Sequence, residues 1–206
     1  MKTFKLKELD PTACYRLLIS AVVPRPIAFV STVDSKGQQN VAPFSFFNVV
    51  SANPPVLMIS VTRRSSGDKK DTLSNILETK EFVVNSSNAW LLDAINQSSA
   101  EYPHEVSEFE KAGLTPVKSV SVKAPRVGEA AVHFECKLVN SVEFGSGEKG
   151  STVVLFGEIQ VMHVNEQILD EEGKIQFSLF SPLSRLGGSD YGLVKEVLTL
   201  KRPKIS

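Results

Sequence analysis

Between Arg63 and Ile76 the chain reads RRSSGDKKDTLSNI. Four cationic side chains, Arg63, Arg64, Lys69 and Lys70, stand just ahead of Thr72–Lys80, where Leu73, Ile76 and Leu77 repeat at helical spacing. Thr72 is the N-cap candidate of that helix. A helix N-terminus offers unpaired N–H groups and a partial positive charge, each dipole contact worth on the order of 0.3–1 kcal/mol. With Lys or Arg beside it, and the Thr72 and Ser74 hydroxyls in the first turn, the chemistry is phosphate binding. A solvated basic loop with an ordinary Thr cap accounts for the same letters, and composition leaves the two readings even.

Other chemistry is scarce. His104, His133 and His163 are not at metal-ligand spacing from one another or from a Cys, and there is no HExxH. His133 and His163 fall within strand patterns, where packing accounts for them. Cys14 and Cys136 form no CxxC and read as reduced structural thiols. No Ser/His/Asp set or carboxylate pair emerges from spacing, and no metal site is expected. GSGEKG at Gly145–Gly150 matches GxGxxG, but it leads into Ser-Thr-Val-Val-Leu-Phe, a strand, so it reads as a hairpin turn. Arg25 sits between two prolines that restrict its backbone, which fits an anion or ring contact as well as a rigid chain entry. The paired glycines of RLGGSDYG allow a close backbone approach or simply a turn.

The elements that must position these residues are mostly strands. Ile27–Val33, a DSKGQ turn and NVAPFSFF form a hairpin signal. Pro54–Thr62 reads as a buried third strand, EFVVNSS as another, and AVHFECKLVNSVEF and STVVLFGEIQVMHV as two long ones. AWLLDAINQSSA and EVSEFEKAG read as helices, the second closed by Gly113. Strands do not alternate regularly with helices, so a mainly β fold is expected, a small antiparallel barrel with peripheral helices. NVAPFSFFNVV is mostly apolar yet carries Pro43, Ser45 and Asn48, which a strand that only filled a core would not need.

The chain has 206 residues, enough for one domain with a real core, expected to span 1–206. Lys+Arg and Asp+Glu are both 23, which argues against a nucleic-acid binder. No apolar run is long enough to cross a bilayer, and the N-terminus lacks a signal peptide's apolar block. A cytoplasmic protein is expected.

Taken in order, YRLLISAVVPRPIAFVSTVDSKGQQNVAPFSFFNVVSANPPVLMISV, KKDTLSNI, FECKL, FGEIQVMHV and SRLGGSDY resemble the flavin reductase-like proteins with an FMN-binding split barrel, closest to the flavoredoxin-like branch. The resemblance runs from about Tyr15 to Tyr191. It implies a six-stranded antiparallel split barrel with Greek-key topology, and a homodimer with one FMN per subunit near the interface. It places Ala42, Pro43 and Ser45 at the flavin ring edge, with Phe46, Phe47 and Asn48 beside the ring or ribityl chain. Thr32 would lie on the neighbouring strand, Ser60 and Thr62 near the ribityl and phosphate, and Lys69, Lys70, Asp71 and Thr72 at the phosphate. Arg25 and the Gly187–Tyr191 loop would close the ring's open face. No catalytic side chain is implied, because hydride chemistry belongs to the flavin. The implied activity is NAD(P)H-dependent reduction of flavin or a small acceptor; the alternative is a flavoredoxin-like carrier passing electrons between protein partners.

Overall fold

The structure is a computed structural model describing residues 1–203, so the last three residues of the expected domain lie outside it. Helix α1 (Pro11–Ala21) comes first; Asp10 Oδ1 caps it, accepting from the Thr12 and Ala13 N–H groups at 3.0 Å. Then follow β1 (Arg25–Pro26), β2 (Ala28–Val33), β3 (Gln39–Phe44), β4 (Phe47–Ala52) and β5 (Pro55–Thr62). Helix α2 (Asp71–Thr79), β6 (Glu81–Ser86), α3 (Leu92–Gln97) and α4 (Glu108–Lys111) occupy the middle of the chain. A small β7 (Pro116–Val117) and β8 (Arg126–Val127) pair precedes the long strands β9 (Val132–Phe144) and β10 (Thr152–Val164). After α5 (Phe177–Phe180), β11 (Leu183–Arg185) and β12 (Tyr191–Leu193) join β1 in a three-stranded sheet.

Seven strands form the main antiparallel sheet, in the order β3-β2-β6-β9-β10-β5-β4. Its two edge strands, β3 and β4, are joined by only Ser45 and Phe46. Neighbouring strands lie about 4.8 Å apart, so two residues cannot bridge a flat sheet of this width. The sheet must roll until its edges meet. They come together at the Ser45–Phe46 corner, where the Ser60 N–H of β5 donates to the Phe46 carbonyl at 2.9 Å and carries the β4–β5 ladder up to the bend. Before that corner β3 pairs with β2 alone. The result is the expected split barrel, six-stranded when the bent β3–β4 run counts once. NVAPFSFF reads as one strand in sequence but is two with a corner; Pro43, which has no N–H to give, lies on the edge strand where a sheet tolerates it. The β5-to-β6 connection carries α2 across the barrel and leaves β9 and β10 between those strands, as a Greek key requires.

The barrel interior is filled by Val30, Leu57, Ile59, Phe82 and Leu155, and α2 adds Leu73 and Ile76, all fully buried except in trace amounts. This is the face its spacing predicts. Phe29, Val41, Ile95 and Phe109 form a second cluster under α3 and α4. At Gly157, where β10 shifts register against β9, a Cβ would overlap the Phe82 ring and lie 3.1 Å from Cys136 Cβ. The glycine therefore lets Phe82 fill the centre.

The two strand histidines anchor structure. Glu135, fully buried on β9, accepts from the Val120 N–H at 2.8 Å, the Ser121 N–H at 2.6 Å and the Ser121 hydroxyl at 2.7 Å, with His163 Nε2 at 2.7 Å. Burial pushes the Glu135 pKa up, but these donors outweigh it and bring it down to about 2. His133 Nδ1 lies 2.8 Å from Asn85 Oδ1; burial, reinforced by Arg126 and His163, lowers its pKa to about 4.

Two outcomes follow. Gly157→Ala should lower unfolding stability by about 1–3 kcal/mol, read by denaturant titration, because a packed ring has nowhere to go. Acid should destabilise in two steps. Below pH 6.5 unfolding lets His133 take up a proton that the fold refuses until about 4. Below 4.5 the fold must give up the ionised Glu135, whose contribution disappears toward about 2. Thermal melts of wild type and Glu135→Gln against pH check this: the variant should be less stable by about 1–3 kcal/mol near neutrality and lack the lower step.

Candidate functional site

Two cavities flank the β3–β4 corner, Ala42–Phe44 contributing to one and Ser45–Asn48 to the other. The first, about 160 Å³, lies at the N-terminus of α2. The helix begins at Asp71, one residue earlier than its spacing predicts, and Lys70 rather than Thr72 is the N-cap. Lys70 has no acceptor atom, so no side chain caps the first turn and its N–H groups face the cavity's end of the helix uncapped. Lys70 and Arg64 line the cavity together with Asp71, Ser98, Ser99 and Glu101. Burial lowers the Lys70 pKa, Glu101 offsets part of that, and Arg64 adds to it. Arg64 donates to Asp71 Oδ2 at 2.7 Å.

Thr72 faces inward instead. Its hydroxyl donates to Asn40 Oδ1 at 2.8 Å, beside the Thr32 hydroxyl at 3.2 Å, which itself accepts from Asn75 Nδ2 at 3.0 Å. Asn40 Nδ2 and the Val41 N–H both donate to Glu108 Oε2, at 2.9 and 3.2 Å. All five polar side chains are buried. This satisfied network fixes the first turn of α2 to β2, β3 and α4, and so fixes where the uncapped N–H groups point.

The second cavity is an open apolar groove of about 740 Å³ between α1, the corner and the outer faces of β9 and β10. Leu18 and Val22 form one wall, Val142 and Phe144 another, and Ser45, Phe46, Asn48 and Ser60 the corner side. Arg25 sits in its wall, 5% exposed. Its guanidinium donates to the carbonyls of Ile19 (2.5 Å), Val22 (2.6 Å) and Leu186 (2.7 Å) and, more weakly, to Ser45 Oγ (3.4 Å). Burial lowers its pKa, with Tyr15 opposing and Arg185 assisting.

Of the sequence-predicted residues, Ala42, Pro43, Lys70, Asp71 and Thr72 line the first cavity. Arg25, Ser45, Phe46, Phe47, Asn48 and Ser60 line the second. Three line neither. Thr32 is fully buried behind Asn40. Thr62 is exposed at the end of β5, its hydroxyl 3.0 Å from that of Thr152. Lys69 is exposed in the loop, while its neighbour Lys70 turns in. The Gly187–Tyr191 loop stays outside both, Tyr191 lying under the Arg185 guanidinium at 4.4 Å. Sequence reasoning missed Ser98, Ser99, Leu18 and Phe144, which reach the site from remote segments and carry no spacing signal. Among the described residues, no group of three or more His, Cys, Asp or Glu is placed to hold a metal ion, and no helix is long and apolar enough to cross a membrane.

Residues 20–183, most of the chain, match the flavin reductase like domain. The chain belongs to the flavin reductase-like family. An uncharacterized protein of Aquifex aeolicus is 48% identical over 188 residues, covering 91% of this chain and 93% of its own. Among solved structures, nitrilotriacetate monooxygenase component B from Bacillus cereus superposes with a TM-score of 0.92 at 37% identity, over 97% of this chain and 98% of that one. The 2-nitrobenzoate 2-nitroreductase of Pseudomonas fluorescens gives 0.87 at 32% identity, over 98% and 96%. The matched region of this flavin reductase-like chain starts within α1 and ends at β11, so it contains both cavities' shared corner.

Arg25 holds α1, the Leu186 turn and Ser45 to one point. Arg25→Lys keeps the charge but cannot reach carbonyls on three sides with a single ammonium. It should cost about 1–3 kcal/mol through the carbonyls left unpaired, measured by chemical denaturation.

Proposed function

We propose that this protein is an FMN-dependent oxidoreductase that accepts reducing equivalents from NAD(P)H and delivers them to flavin or a small acceptor. The observation that carries the reading is the placing of the two cavities on either side of the β3–β4 corner. An uncapped helix N-terminus with two inward-facing cations, Arg64 and Lys70, lies on one side and a large apolar groove on the other. FMN has that bipolar shape: a phosphate at one end, a flat ring with a polar edge at the other.

The donor set fits the group. Arg64, Lys70, the hydroxyls of Ser98 and Ser99 and the first-turn N–H groups of α2 suit a phosphate. The edge of β3 and the Ser45 hydroxyl suit ring nitrogens and oxygens, while Phe46 and Phe47 supply apolar contact. Bound flavin would supply reversible hydride and electron transfer. The chain's part is binding and orientation: Arg25 steadies Ser45 from behind, and the buried Asn40 network fixes the phosphate end. The named functions of the two solved neighbours, a monooxygenase component and a nitroreductase, support redox chemistry.

The groove also supports a homodimer with the flavin at its interface. Val22 and Phe144 are each 61% exposed, and Val50 and Phe46 lie exposed on the same lining. An apolar patch of this kind is what a second subunit covers. The groove is open enough for nicotinamide to reach a ring face.

An absorbance spectrum of the purified protein, then anaerobic NADH and NADPH, tests this. Flavin bands that bleach on nicotinamide alone are the expected result. Bands that persist until a redox protein is added would point to an electron carrier instead, and a protein that neither carries nor binds added FMN would overturn the reading. Lys70→Ala should weaken FMN about tenfold or more, the loss of one charge-assisted contact, and leave riboflavin binding unchanged; fluorescence quenching reads both.

A further inference from the structure

The phosphate cavity has a feature that its donors alone do not require. Ser98, Ser99 and Glu101 form one wall, and the segment they belong to is tied down three residues later by His104. His104 Nδ1 lies 2.9 Å from Asp71 Oδ1, and Nε2 lies 3.4 Å from Asp34 Oδ2. Asp34 belongs to the β2–β3 turn, and Asp71 is the first residue of α2. A neutral imidazole has one N–H and one lone pair, so it can donate to only one of two carboxylates. With a carboxylate oxygen near each nitrogen, the imidazolium is the form whose two N–H groups can face both.

We propose that His104 is a positioning residue for the phosphate pocket: as the imidazolium it neutralises Asp71 and fastens the Ser98–His104 wall to α2 and the β2–β3 turn. This rests on the phosphate reading of that cavity. Phosphate binding then weakens as His104 loses its proton.

The carboxylates around His104 favour this, and the cations Arg64 and Lys70 oppose it. Asp34 faces it from the turn and Asp71 from α2, the latter shared with Arg64. Glu108 of α4 lines the same small gap as His104 and Asp71. Glu101 and Glu105 flank it on its own segment. Lys70 is the other cation at the N-terminus of α2. The Asp71 hydrogen bond, opposed by partial burial and helped by Asp34, raises the His104 pKa above 6.5. The imidazolium therefore persists to higher pH than in a free histidine and is lost as pH rises through the raised folded value. Once it is neutral, Asp71 keeps only Arg64 as a partner, and its carboxylate competes with phosphate for that guanidinium and for the helix end.

The test compares FMN with riboflavin, which lacks the phosphate, by fluorescence quenching between about pH 7 and 9, where the FMN phosphate is already a dianion (second pKa about 6). In wild type the dissociation constant for FMN should rise roughly two- to fivefold across this range, the scale of a half-exposed ion pair, while that for riboflavin stays flat. His104→Gln should bind FMN with the weaker value throughout and show no such rise; its unchanged riboflavin binding reports an intact fold. A pH-independent FMN constant in wild type, or the same rise in His104→Gln, would overturn the role of His104 with the flavin site intact. Failure of both flavins to bind either protein would overturn the cofactor reading, and this inference with it.

Discussion

Ser45 and Phe46 are two residues long as a connection, and they join opposite edges of a seven-stranded sheet. That connectivity constrains everything near the site. It forces the sheet to roll, and it brings the rolled edges together at one end of the seam, the Ser45–Phe46 corner itself, where the Ser60–Phe46 hydrogen bond continues the β4–β5 ladder. On the other side of the corner β3 keeps an edge with no strand beside it. An unpaired edge is normally a liability because its N–H and C=O groups seek partners. Here the edge lies between a cationic helix end and an apolar groove, where a polar-rimmed planar ligand is the natural partner. The split in the barrel and the ligand site are consequences of one geometric fact.

A corner that tight needs external support, and Arg25 supplies it with unusual chemistry. It is a buried cation whose partners are three carbonyls and a hydroxyl, with no carboxylate among them. Two of the carbonyls, Ile19 and Val22, come from the C-terminal end of α1, which carries partial negative charge and unpaired acceptors. The guanidinium thus caps the helix, holds the Leu186 turn and reaches Ser45 at once. Carbonyl dipoles compensate its charge without cancelling it, so the groove wall retains a positive field beside the corner. Arg25 is legible in sequence as a residue the flanking prolines pin down; that it spends its donors on backbone is visible only once α1 and the tail sheet are in place.

The same division runs through the whole chain. Period-two alternation and turn chemistry place β2, β5, β6, β9 and β10 within a residue or two, because those signals are local, but not the corner that splits β3 from β4 or the short outlying strands. The segment proposed to hold a phosphate stands out too, because cations, a helix start and hydroxyls fall within one short stretch. What local patterns cannot show is which side of a short loop faces in. Lys69 and Lys70 are identical in sequence terms, yet one points to solvent and one lines the cavity. Thr32 and Thr72 look like ligand hydroxyls, but burial turns both toward Asn40, and a buried hydroxyl must bond internally. Ser98, Ser99 and His104 reach the site through a connection whose path depends on α3, α4 and their packing on Phe29 and Val41, so no spacing rule finds them.

Asp71 looks misplaced in the anion site proposed for the end of α2. It occupies the first helical position of α2, where a carboxylate is favourable for the helix and unfavourable for a phosphate approaching the same N–H groups. Removing it would strengthen anion binding only if its partners were already well placed without it. They are not: Arg64 extends from a polar loop, and Asp71, at 2.7 Å, is what holds its guanidinium at the cavity. The acid thus orients a cation at the expense of part of that cation's charge. A second positive group that contacts Asp71 without contacting the ligand restores the balance, and His104 stands in that position. The arrangement makes the pocket's net charge depend on a residue outside it, which a site assembled from Arg and Lys alone would not do.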